Sequence, residues 1–214
     1  WINVAAHEWD RRTSEQIASR FASIEPENIE PIRPELGVPI LEGLSHTADE
    51  NLRALFVELL ASGSDRTQAH NCHPSFVHII KHLSPDEAKI LNEWNGKLHV
   101  PFIEICRDAG EQGSSRIDEV MHIPDGLSID KQMSVYMSNL TGLGLIKKTT
   151  MEWISDEHYS ELVAWAANLH RGLKASPLQS PGFASLSEGE LFFNKGIVII
   201  TEYGRLFQKA TLPK

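Results

Sequence analysis

Only two cysteines, Cys72 and Cys106, occur in 214 residues. Two cysteines build no disulfide framework, so the fold must rest on an ordinary apolar core. The expected state is reduced thiols in a cytoplasmic protein. No apolar run approaches the ~20 residues that a bilayer span needs, and the short run 196–201 reads as a strand. The chain begins at Trp1 rather than Met, so this reading covers the given sequence only. A glycine-rich phosphate loop is missing too. Gly142-Leu143-Gly144 lacks a third glycine and a following Lys-Ser/Thr, and reads as a turn between a helix and a strand. Basic charge is scarce: 20 Lys and Arg stand against 29 Asp and Glu, a net charge of −9. That balance disfavours a globally basic nucleic-acid binder. Most of the acid excess lies early, where residues 1–50 hold 4 basic and 10 acidic side chains.

What is present is ordinary for a globular protein: 41% hydrophobic and 23% charged residues. A helix is expected from Ser14 to Ile24, followed by a proline-rich extended connector at 25–39. Thr47-x-x-Glu50 reads as a capping box before the stripe Leu52, Leu55, Phe56, Leu59 and Leu60. Ser62-Gly63-Ser64-Asp65 has loop composition. His73-Pro74 restarts a helix with Phe76, Ile79 and Ile80 on its apolar face. Ser84-Pro85-Asp86-Glu87 is the best local signal: a capping serine, proline at the first helical position, and a glutamate that completes the box.

Beyond it, residues 100–106 read as a short edge strand, because Pro101 argues against a central one, with a helix before residue 107 as the competing reading. Ser128 caps a helix over 129–140, and residues 145–150 are strand-like. Ser155-Asp156-Glu157 opens a helix with Tyr159, Leu162, Val163, Ala166 and Leu169 on one side. Glu190–Phe193 and Gly196–Thr201 flank Asn194-Lys195, which reads as a tight hairpin turn. A last helix starts at Thr201 or Glu202. The order helix, strand, hairpin, helix looks like a winged helix. The expected fold is therefore α+β and mostly α-helical. A helical region spans 1–83. A winged-helix-like half with a small β-hairpin spans 84–214, with a helical insertion at about 151–189.

Three blocks carry a family resemblance. The first is Pro39-Ile-Leu-Glu-Gly-Leu44 with Ala48-Asp-Glu-Asn-Leu52. The second is Leu55-Phe-Val-Glu-Leu-Leu-Ala-Ser62. The third is His73-Pro-Ser-Phe-Val77 with Leu83-Ser-Pro-Asp-Glu-Ala88. With Asn139–Ile146 and Ile200–Phe207 they resemble the Abi-alpha family of bacterial proteins associated with abortive infection against phage. The resemblance covers most of 31–214, least at 97–130 and 151–190. It implies a role in phage defence and transfers no catalytic residue.

Two clusters are the candidates for chemistry. His70, Cys72, His73, His78 and His82 supply imidazole and thiol groups of the kind that bind zinc. Their spacing matches no zinc ladder, and a solvated helix face with a capping histidine accounts for them as well. Cys72 beside a histidine is the one thiol-nucleophile candidate. For nucleic acid, a third helix would present Lys131, Gln132 and Asn139, with Lys147, Lys148, Lys195 and Arg205 towards phosphate. So few cations disfavour DNA. Asp86-Glu87, Asp118-Glu119 and Asp156-Glu157 read as helix starts, not acid–base pairs. No catalytic, cofactor or metal site is expected. The expected mode is contact with a protein partner or self-association, with a DNA-binding regulator and a metal or thiol enzyme around His70–His82 as rivals.

Overall fold

In the computed structural model, residues 2–110, 113–122, 124, 127, 133–170, 172–175 and 189–213 are described. In chain order the helices begin with α1 (Ile2–Phe21), α2 (Pro34–His46), α3 (Glu50–Ser64), α4 (Ser75–His82) and α5 (Pro85–Glu93). Strands β1 (His99–Asp108) and β2 (Ser114–Met121) follow, then α6 (Met133–Gly142) and β3 (Ile146–Thr149). The chain closes with α7 (Ser160–Leu169), β4 (Lys174–Ala175), β5 (Leu191–Ile200) and α8 (Glu202–Thr211). The fold is α+β. It divides into two compact units, Trp1–Gly96 with Glu202–Lys214, and Lys97–Thr201. The expected boundary at 83/84 therefore falls inside the helical unit.

In the helical unit α3 is the hub, packed against α1, α2, α4, α5 and α8. Its stripe of Leu55, Phe56, Leu59 and Leu60 is buried, as the 3.6-residue spacing requires. The cap is Asp49, not Thr47: its carboxylate accepts from the Asn51 and Leu52 backbone N–H groups. The helix also runs through the loop-like Ser62–Ser64, because both serines are buried against the core. The connector is likewise shorter than its prolines imply. Pro34 occupies the first turn of α2, where a missing N–H costs nothing, and Pro39 lies inside that helix. Burial of Leu36, Ile40 and Leu44 offsets the lost bond. The first helix starts at Ile2, well ahead of Ser14. The Ser84 capping box forms with both of its bonds.

The other unit is built on one sheet of order β2-β1-β5-β3, antiparallel throughout, with β4 adding a short parallel pairing to β5. Two strand expectations fail here. No hairpin turns at Asn194-Lys195: β5 passes straight through, pairing with β1 and β3. The tight hairpin is β1–β2, closed by Ala109 N–H to Gly113 O at 2.7 Å. And β1 is central despite Pro101. The Ile200 N–H bonds Leu98 O at 3.0 Å. Alternation along the ladder then turns Pro101 away from β5, towards β2. The β2 pairing begins only at Phe102, so no ladder bond is lost. Asp118-Glu119, expected at a helix start, lies in β2.

One face of this sheet buries Ile103, Ile105, Val120, Phe193 and Ile197 under Tyr159, Leu162 and Ala166. These three are among the residues expected on one side of the 155–169 helix, and the half-buried Val163 packs against the same core. The turn from α6 to β3 is a Schellman motif. Leu145 N–H bonds Leu140 O at 3.0 Å and Gly144 N–H bonds Thr141 O at 2.9 Å. Gly144 has φ +76°, which only glycine adopts without strain.

Candidate functional site

The histidine region is brought together as a helix start, not a ligand set. His73 Nδ1 accepts from the Ser75 backbone N–H at 3.2 Å and lies 2.6 Å from Ser75 Oγ. It thus caps α4. Ser75 Oγ also bonds the Tyr203 hydroxyl, and Phe76 packs between the Tyr203 and Phe207 rings. His78 and His82 stack on each other at 4.0 Å, with His82 Nδ1 donating to His78 O at 2.8 Å. Cys72 is buried, its Sγ 3.9 Å from Gln68 O. His70 is exposed on the turn Ala69–Asn71. Among the described residues no three His, Cys, Asp or Glu side chains are placed to hold a metal ion.

The nucleic-acid candidates divide. Lys131 and Gln132 lie outside the described residues. Asn139 is half-buried on α6, and Lys147 is exposed on β3. Lys195 reaches Asp156 at 2.9 Å and is 14% exposed. Arg205 lies on α8, 3.8 Å from Glu202. Lys148 is enclosed by carboxylates. Its Nζ contacts Glu119 Oε2, lies 3.3 Å from Glu104 Oε1, and sits 4.4 Å from the centre of the Phe102 ring. Lys148 and Lys195 therefore neutralise acids within the fold rather than facing a polyanion.

The cluster around Lys148 escaped the sequence reading. Glu104 and Glu119 are directly opposite on β1 and β2, and Arg116 Nη1 bridges both at 3.3 Å. Like charges opposite each other destabilise a sheet, and two cations between them reverse that. Its signal was the alternation Phe102, Glu104, Cys106, which puts all three on one face of a strand. Cys106 lies on that face with a raised thiol pKa. Burial is the main cause, the Glu104 charge adds to it, and Arg116 opposes it. Such a thiol is a poor nucleophile.

At the outer edge of the sheet, Arg116, Ile117, Asp118 and Glu119 of β2 line a groove with Met133, Ser134 and Trp165. Its volume is about 650 Å³. Trp165 and Ile117 are exposed there. Edge pairing is blunted locally: the Glu119 N–H donates to Asp118 Oδ1 at 2.8 Å, and Asp118 Oδ2 meets His170 Nε2 at 3.2 Å. Nothing in the local sequence pairs Trp165 with Ile117, because they come to line one groove only through the packing of α7 on the sheet.

Among the described residues no helix is long and apolar enough to cross a membrane. No curated protein and no solved structure matches the chain. The family model described as abortive infection alpha matches residues 5–211, including the stretches where the motif resemblance was thinnest. With nearly its whole length inside that match, the chain belongs to the abortive infection alpha family, which implies a part in phage defence by abortive infection.

Proposed function

We propose that this protein serves abortive infection by binding a protein partner, without catalysing a reaction. The observation that carries the reading is the groove at β2. Trp165 is 54% exposed beside Ile117, with Arg116 and Asp118 around them. A large exposed indole with a charged fringe is the usual make-up of an interaction hot spot. The side chains would make the contact, since Asp118 covers the nearest backbone donor of the edge strand.

The non-catalytic half of the reading rests on chemistry. Both thiols are buried. His73 is engaged as a cap. The carboxylate pair Glu104 and Glu119 is held by Lys148 and Arg116 rather than poised against each other as acid and base. The test is a phage challenge of cells carrying the wild-type chain or the Trp165→Ala, Ile117→Ser double variant. The expected result is loss of protection at an unchanged melting temperature. Full protection by the folded double variant would sink the proposal.

A further inference from the structure

We propose that the helical unit carries a pocket for a mononucleotide with an amine-bearing base, floored by Gln208 and rimmed by His70 and Lys209. This site is independent of the contact groove on the sheet. The pocket holds about 410 Å³, within the range of small-ligand sites. The turn after α3, the end of α5 and the last turn of α8 with the tail behind it form its walls.

Its floor is a fixed acceptor. Gln208 is 4% exposed, and its Nε2 donates to Leu91 O at 3.4 Å and Trp94 O at 3.2 Å. The two carbonyls engage the N–H₂ end and set the orientation of the amide, so Oε1 is the end that can still accept. The walls repeat the pattern. Asn71 Nδ2 donates to Gln68 Oε1 at 3.4 Å, and Asn95 Nδ2 donates to Pro213 O at 3.0 Å. In all three amides the N–H₂ end is engaged within the protein, and among the described residues none donates to the carbonyl oxygen.

The rim has the opposite character. His70 and Lys209 are exposed, and among the described lining residues there is no carboxylate. Acceptor oxygens inside ask for N–H donors, and the Lys209 ammonium at the rim asks for an anion. A nucleotide with an exocyclic amine meets both demands. Adenine, cytosine and guanine carry that amine and uracil does not. Asn and Gln side chains pair with such base edges elsewhere.

Isothermal titration calorimetry on the full chain tests this with AMP, CMP and GMP, and with UMP and adenosine as probes lacking the amine and the phosphate. The expected outcome is one AMP per chain, with UMP and adenosine each about tenfold weaker, the size of one good hydrogen bond. Lys209→Gln should weaken AMP about tenfold and leave adenosine unchanged. Asn71→Leu should weaken both, and thermal melting checks that each variant is folded. No saturable binding of any amine-bearing nucleotide at millimolar concentration overturns the proposal. So does UMP binding as tightly as AMP, or a Lys209→Gln variant that binds AMP like wild type.

Discussion

Gly196 of β5 sits directly opposite Phe102 of β1, and the Phe102 ring fills the space that a side chain at 196 would need. A Cβ there would also lie 2.6 Å from Thr149 O on β3. The glycine lets a fully buried ring lie across the central strand, and Lys148 then seats on that ring. Gly196→Ala should therefore destabilise the fold by about 2–3 kcal/mol, the upper part of the range for overpacking. Urea denaturation at neutral pH measures it. Removing the opposing ring as well, in Gly196→Ala with Phe102→Leu, should recover part of the loss.

The Ser84 box gives a second and purely local prediction. Ser84 Oγ accepts from the Glu87 N–H at 3.3 Å, and the Glu87 carboxylate accepts from the Ser84 N–H at 2.7 Å. Glu87 is buried, so its loss of partners is not made good by water. Ser84→Ala should cost about 1–2 kcal/mol, and Ser84→Asp, which keeps an acceptor but sets it against Glu87, should not restore the full stability. The melting temperatures of the three proteins decide this.

The thiols give a third. Cys72 and Cys106 are both buried, and burial holds the Cys106 thiol above its ordinary pKa. Native protein should react with iodoacetamide far more slowly than the urea-unfolded chain, by about a hundredfold or more if labelling needs opening of the fold. Mass spectrometry of the alkylated peptides reads each cysteine separately. Rapid native labelling of Cys72 would revive the thiol-enzyme reading around His70–His82.

Helices with local signals were readable from the chain alone. The Ser84 box, the α3 stripe and the Tyr159, Leu162, Ala166 face each depend on residues a turn or two apart, so spacing carries them. The strands depend on partners far away in sequence. Asn194-Lys195 has turn composition, yet the apolar residues on both sides pair with β1 and β3, and tertiary pairing overrides the local preference. Pro101 reads as an edge marker until the register shows that its missing N–H falls beyond the end of β2. The same reason hid the site. Glu104 opposite Glu119, and Trp165 beside Ile117, are neighbours only once register and helix packing are known.

Tyr159 joins the fold to pH. Its hydroxyl donates to Gly196 O at 3.0 Å and accepts from the Ile154 N–H at 3.3 Å, and its ring is part of the sheet core. Burial raises its pKa above the ordinary phenol value; the Ile154 N–H works against this and the Asp156 charge adds to it. The folded chain therefore keeps the proton to higher pH than the unfolded chain. The stability linked to Tyr159 is complete below the ordinary value of about 10 and is lost as pH climbs from there through the raised folded value. Cys106 acts in the same direction from about 8.5 upward. Tyr159→Phe separates the two. At neutral pH the variant should be about 1–2 kcal/mol less stable, because Gly196 O loses its donor inside the core. Between about pH 9 and about pH 11 its stability should fall less steeply than that of wild type, because the phenol contribution is gone. Urea denaturation across that window measures both slopes. Parallel slopes for the two proteins would show that the phenol does not titrate with folding.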